Sequence, residues 1–156
     1  MPEKSPTVSD LRAYAMRLLG RREYAVHELH GRLCAHWRGE ESIRQLADHL
    51  VEDLVTEGSL SDQRYVAAFV RSREQRNQGP IKIRAELRQR HLPDDLIEHA
   101  LERDAEHWID LASGWLARQH RAELEFEDRA RCYRRLVNRG FNHDQAMAAI
   151  ARHSAT

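Results

Sequence analysis

The sequence predicts an all-α fold, and three observations carry that expectation. Leucine and alanine dominate the apolar set, with 17 Leu and 19 Ala against 7 Val, 6 Ile and 3 Thr in 156 residues. Leu and Ala lose little entropy in a helix, whereas β-branched side chains lose rotamer freedom there and favour strands. Apolar residues recur at helical spacing, and no stretch alternates apolar and polar or carries an Asn-Gly or Asp-Gly hairpin signal. With 41% hydrophobic and only 6% aromatic residues, the core is expected to be aliphatic, and the chain is long enough to bury one.

The first helix is expected over about Leu11 to Leu19, capped by Ser9 or Asp10, with Leu11, Tyr14, Ala15, Leu18 and Leu19 on one side. Arg21-Arg22-Glu23 makes the turn to a second helix, about Ala25 to Leu33, which buries Leu29 and Leu33. Tyr24 stands in front of it as a hydrophobic staple against Leu29. Glu28 is the far half of a capping box whose near half, Ala25, is missing. A third helix, about Glu41 to Thr56, carries the stripe Ile43, Leu46, Ala47, Leu50, Leu54 and Val55 and stops at Gly58. The fourth, about Asp62 to Gln75, is capped by Ser61 or Ser59 and buries Tyr65, Ala68 and Phe69.

Gly79-Pro80 breaks the chain and restarts it, because proline presets the dihedral of a first helical position. Helices follow over Pro80 to Arg90, with Ile83 and Leu87 inward, and over Asp94 to Arg103, with Ile97, Ala100 and Leu101 inward. The last third begins with a helix from Ala105 to Leu116 carrying Trp108, Leu111, Ala112 and Trp115; the two tryptophans, seven apart, share a face and are expected to pack in the core. A helix from about Asp128 to Asn138 turns at Arg139-Gly140-Phe141. Asn142 and Gln145 then form a complete capping box for a final helix through Ile150. Residues beyond Arg152 are expected to fray.

One offset superimposes the first and last parts. Ala15, Leu19, Arg22, Tyr24 and Leu33 recur as Cys132, Leu136, Arg139, Phe141 and Ile150 at the same spacings, and Ala85-Glu86-Leu87 echoes His27-Glu28-Leu29 in the middle. The expected organisation is three tandem three-helix units, residues 11–58, 59–104 and 105–151, in an elongated, curved stack, with tails at 1–10 and 152–156.

Charge comes in blocks although 25 basic and 25 acidic residues cancel. Arg64 to Arg90 holds 8 basic and 2 acidic residues, and Asp128 to Arg139 holds 5 basic and one acidic; Glu40 to Asp62 and Leu92 to Asp110 each hold 7 acidic and one basic. Such blocks either pair with each other inside the fold or leave a basic surface that follows phosphates. No phosphate loop, HExxH or CxxC occurs. His27, His30 and Cys34 share a helix side near His36, but no fourth tetrahedral ligand is evident; neither a metal nor another cofactor is expected, and nothing assembles a catalytic nucleophile, base and pocket. Two cysteines, no signal segment and no run of ~20 apolar residues read as a cytoplasmic protein without a membrane partner.

The string Gly58-Ser59-Leu60-Ser61-Asp62-x₂-Tyr65-x₃-Phe69-x₃-Arg73, then Gly79-Pro80-x₂-Ile83-Arg84-x-Glu86-Leu87 and Ile97-x₂-Ala100-Leu101, resembles the bacterial RecX regulatory proteins. Arg21-Arg22-x-Tyr24-x₃-Glu28-Leu29 and Arg139-Gly140-Phe141 look like that family's first and last units. Ala25 replaces its usual capping Ser, His91 stands where it commonly has Gly, and Gly58-Ser59-Leu60 departs from Gly-Tyr-Leu. The resemblance implies a negative regulator that lodges in the groove of the RecA filament on single-stranded DNA. There it would inhibit ATPase, strand exchange and coprotease activities, and so modulate recombination, repair and the SOS response. It also implies weak direct DNA binding and no enzymatic activity; a monomer is expected.

Candidate RecA or DNA contacts are Arg71, Arg73, Arg76, Lys82, Arg84, Arg88, Arg131, Arg134, Arg135 and Arg139, with Tyr24, Gly79, Pro80, Gly140 and Phe141 as structural motif residues. An autonomous helix-turn-helix DNA-binding protein is the alternative and predicts site-selective duplex binding without a recombinase. A purely structural helical adaptor predicts no effect of salt or DNA.

Overall fold

Nine α-helices make up most of residues 4–155, the part of the chain that the computed structural model describes, and no strand occurs among them. They are α1 (Val8–Leu19), α2 (Val26–His36), α3 (Glu41–Thr56), α4 (Asp62–Gln75), α5 (Pro80–Gln89), α6 (Asp94–Leu101), α7 (Ala105–Gln119), α8 (Phe126–Asn138) and α9 (His143–Ser154). By packing they fall into two compact units. The first runs up to Ala68 and takes in Arg90–Leu92; the second takes Phe69–Gln89 and everything from Pro93 onward, so α4 contributes to both.

In the first unit α1, α2 and α3 pack pairwise around Leu11, Ala15, Tyr24, Leu29, Leu33, Leu50 and Leu54, all buried. Helix α1 starts earlier than the sequence suggests. Thr7, not Ser9 or Asp10, is its N-cap, and Asp10 completes a capping box by accepting the Thr7 amide at 2.8 Å. The expected tail 1–10 therefore ends in a helix, and its residues 1–3 lie outside the described residues. The half-missing box of α2 is completed from elsewhere: Ala25 offers no side-chain cap, and the Val26 amide donates to Asp62 Oδ1 at 2.8 Å. On α3 the inward stripe takes Val51 and leaves Val55 about half exposed. Val51 and Val55 share one side of the helix four residues apart, so the exposure of Val55 marks the last turn of α3, where the packed core ends. Across Gly58, which adopts φ +80°, the Leu60 amide reaches the Leu54 carbonyl at 3.1 Å and closes the helix end.

In the second unit α9 packs against both α7 and α8 around Ala112, Trp115, Leu116, Cys132, Leu136, Phe141 and Ala149, and α5 packs on α6 through Ile83, Leu87, Ile97 and Leu101. Both tryptophans are buried, as their shared face requires. The Asn142–Gln145 box forms as expected, with bonds of 2.8 and 2.9 Å. Helix α9 continues past Ile150 to Ser154, held by ion pairs from Arg152 to Glu106 and Asp110. The expected fraying thus begins later than Arg152, and Thr156 lies outside the described residues.

A close main-chain contact in this unit joins the two glycine turns. The Gly79 amide donates to the Arg139 carbonyl at 2.7 Å and the Ile81 amide to the Gly140 carbonyl at 3.0 Å. A Cβ on Gly79 would lie 2.5 Å from the Phe141 nitrogen, and one on Gly140, whose φ is +99°, would lie 2.5 Å from the Lys82 Cβ. No side chain fits at either position.

Gly79→Ala and Gly140→Ala should each lower unfolding stability by about 2–4 kcal/mol in denaturant titrations. Gly31 and Gly114 lie inside α2 and α7, where an added Cβ would meet nothing within 4 Å. Each should gain roughly 0.5–1 kcal/mol when changed to Ala. Equal effects at all four sites would refute the close main-chain approach. A second expectation concerns acid. The Thr7 main-chain amide and then its hydroxyl hold the Asp10 carboxyl below the ordinary range, and the Arg12 and Arg84 guanidiniums do the same for Glu57 and Glu98. A carboxyl whose folded value is depressed contributes stability above its unfolded value and loses it as pH falls through the folded one. Denaturation midpoints should therefore decline through the acid range, and the decline should be shallower in an Asp10→Asn, Glu57→Gln, Glu98→Gln triple variant.

Candidate functional site

The basic residues singled out from the sequence divide into two groups once their partners are known. Arg73 Nε donates to Glu86 at 3.0 Å and its guanidinium lies 4.3 Å over the Phe69 ring. Arg84 grips Glu98 with two nitrogens, at 2.6 and 3.3 Å, and Arg88 holds Asp94 at 3.0 Å. Arg131 lies 3.7 Å from Asp128 on the same helix. Here the basic block of α5 and the acidic block of α6 neutralise one another, as one of the two readings of the charge pattern expects. The other group, Arg71, Arg76, Lys82, Arg134 and Arg135, is exposed and enters no ion pair among the described residues.

Arg139 is half-buried and serves the glycine joint. Its Nε donates to the Asn77 carbonyl at 3.0 Å and its Nη2 to the Arg76 carbonyl, while its guanidinium lies 5.2 Å from the Trp115 ring centre. Arg135 sits 4.8 Å from the same ring. Two cations therefore share one indole, an attraction that the ring quadrupole supplies. Lys82, Trp115, Arg135, Asn138 and Arg139 line a shallow depression of about 270 Å³, and no carboxylate is among them. Burial, followed by the like charges of Arg135 and Arg118, pulls the Arg139 pKa down, although an arginine stays charged. What this geometry can do is present guanidinium edges and an ammonium to oxyanions: planar forks and a point charge suit phosphate or carboxylate oxygens.

The structure brings Gly79, Pro80, Gly140 and Phe141 together at this joint and places Lys82, Arg135 and Arg139 around it. Tyr24 is elsewhere, buried in the first unit beneath Arg22, whose guanidinium lies 3.7 Å over its ring and pairs with Glu28 at 3.0 Å. Sequence reasoning missed Arg118. It falls outside both basic blocks, and its only signal is a position three residues after Trp115 on α7.

The histidines of the histidine–cysteine set take separate partners, while Cys34 Sγ stays 3.9 Å from His30 Nδ1. His30 pairs with Asp48 at 2.6 Å, the His27 ring lies 4.1 Å from His91, and His36 stacks on Tyr14 at 4.2 Å. Cys132 lies 3.2 Å from His120 Nε2, but burial raises its pKa and disfavours the thiolate. No helix among the described residues is long and apolar enough to cross a membrane.

Residues 61–101 match the family model described as RecX, second three-helix domain. Regulatory protein RecX of Chromohalobacter salexigens is 41% identical over 138 residues, covering 88% of each chain. That of Halorhodospira halophila is 35% identical over 154 residues, covering 97% of this chain and 92% of the relative. The crystal structure of RecX from Lactobacillus salivarius shares the fold at a TM-score of 0.79 and 17% identity, over 96% of this chain and 97% of that one. On the sequence relationship to these relatives, the chain belongs to the RecX family of regulatory proteins.

Proposed function

We propose that this chain is a negative regulator of the RecA recombinase. It docks onto the RecA filament on single-stranded DNA and inhibits ATP hydrolysis, strand exchange and coprotease activity, acting as a cytoplasmic monomer with weak DNA affinity of its own. Family membership supports the regulatory role. The observation that carries the contact surface is the sorting of the basic residues. Arg73, Arg84 and Arg88 are occupied by carboxylates, whereas Lys82 and Arg135 flank a carboxylate-free depression with Arg139 and with Arg76 beside it in the chain fold. Positive charge that the fold leaves uncompensated is what a polyanionic filament attracts. The contact surface is accordingly centred on Lys82, Arg135 and Arg139, with Arg71, Arg76 and Arg134 as its outlying members and Arg131 paired with Asp128. The paired arginines hold the unit together and contribute less.

The test is inhibition of RecA ATP hydrolysis on single-stranded DNA across a salt series. A Lys82→Glu, Arg135→Glu variant should need at least about tenfold more protein for half-inhibition. Its salt dependence should flatten by about one unit of log–log slope for each phosphate that it no longer neutralises. Arg84→Gln, which breaks the Glu98 pair, should lower thermal stability while leaving inhibition near that of the parent chain. Undiminished inhibition by the double variant would remove the depression from the contact surface.

A further inference from the structure

Between α8 and α9 of the second unit lies an open groove of about 640 Å³, lined by Phe126, Tyr133, Met147 and Ile150 together with Arg129 and Arg134. Nothing in the described chain covers it. Phe126 is 86% exposed and Met147 48%, so two of the larger apolar side chains face solvent side by side, where a soluble surface ordinarily disperses them. Phe126, Ala130 and Tyr133 follow one another at spacings of four and three on α8, and His143, Met147 and Ile150 do the same on α9. Each row is about 10 Å long at 1.5 Å per residue, and the two rows line the groove from α8 and from α9. Tyr133 and His143 are fixed across it by a 2.9 Å bond from side chain to side chain.

Charge decides what fits. No carboxylate lines the groove, in a chain with as many acidic as basic residues. Arg134 enters no ion pair among the described residues. Arg129 spends only its Nε, on the Leu124 carbonyl at 3.3 Å, which leaves the outer nitrogens of its fork for another acceptor. A second copy of this chain is a poor occupant. The apolar faces of its helices are already buried in their own cores, and the other exposed large apolar residues, such as Val8, Met16, Val55 and Ile81, are scattered over separate helices.

We propose that the α8–α9 groove is a docking site for an acidic amphipathic helix of a protein partner, whose apolar residues four apart seat on Phe126, Tyr133 and Met147 while its flanking carboxylates reach Arg129 and Arg134. The binding mode is a helix in a groove, with the apolar lining giving affinity and the two arginines giving polarity and specificity. It goes beyond the cationic depression, which lies around other residues and recognises oxyanions without an apolar anchor.

The experiment uses the full chain and a fluorescent synthetic peptide of about 16 residues, near the length at which an isolated helix persists. The peptide carries two leucines four apart flanked by glutamates, and its control has lysine at every glutamate. Fluorescence anisotropy should show saturable binding of the acidic peptide and at least about tenfold weaker binding of the lysine peptide. Met147→Asp should abolish binding of the acidic peptide. Because Met147 is half exposed, that variant should keep its helical circular dichroism. Arg134→Glu should weaken the acidic peptide and strengthen the lysine one, a reversal that mere loss of folding cannot produce. Absence of binding, equal binding of the two peptides, or binding indifferent to Met147 and Arg134 overturns the proposal. So does a dimer by sedimentation that Met147→Asp dissolves, which would assign the groove to a second copy.

Discussion

Two glycines in contact through their main chains set the terms for the second unit. Gly79 and Gly140 approach so closely that a methyl group on either would enter the other turn, and the hydrogen bonds from Gly79 to Arg139 and from Ile81 to Gly140 depend on that approach. The cationic side chains of the depression are anchored there. Lys82 follows Gly79 by three residues and packs its own main chain on Gly140. Arg139 precedes Gly140 and binds the carbonyls of Arg76 and Asn77, and the ring of Trp115 receives the guanidiniums. Close packing converts a sequence motif into a fixed position for charge, because neither turn can shift without opening the core beneath it.

The same repeat serves two purposes in the two units. Arg22 and Arg139 occupy equivalent places, each two residues before a buried aromatic. Arg22 has Glu28 for a partner and lies flat on Tyr24, so its charge is satisfied locally. The residue equivalent to Glu28 is Gln145, which is committed to capping α9 and carries no charge. Arg139 therefore has no acid at hand, and it meets main-chain carbonyls and an indole face instead. One substitution in the repeat, Glu to Gln, separates a neutralised turn from a cationic one.

Helix type, order and most boundaries are legible from periodicity and caps, because leucine spacing and the Asn142–Gln145 box act within a few residues of sequence. The misses share a cause: the deciding partner is either too subtle locally or too far away. Thr7 and Asp10 are both visible, but Ser9 and Asp10 compete as caps in their own right and obscure the box that Thr7 forms with Asp10. The cap of α2 comes from Asp62, 36 residues on, and no local rule reaches that far. His91 adopts φ +62°, a left-handed conformation that glycine takes most readily and that the sequence does not announce at a histidine. Among the basic residues, charge blocks reveal where arginines cluster but not which of them face an acid. Arg84 and Arg135 look alike in sequence and differ entirely in surroundings.

Helix α8 shows why a small regulatory protein can carry more than one surface. Only Cys132 and Leu136 of that helix are fully buried, a stripe narrower than the ~100° that a core-facing helix usually commits. A helix held by so thin a stripe exposes two separate faces. One presents Arg135, Asn138 and Arg139 toward Trp115; the other presents Phe126, Ala130, Tyr133 and Arg134 toward α9. The first is polar and suits oxyanions, and the second is apolar with arginines in its lining. Their chemistry differs because their neighbours differ: α7 supplies an indole to one side, and α9 supplies methionine and isoleucine to the other. Glu125 gives α8 no side-chain cap, so the helix is held through Cys132 and Leu136 and its packing on α9, and most of its surface stays outside the core, where the two proposed contact faces lie.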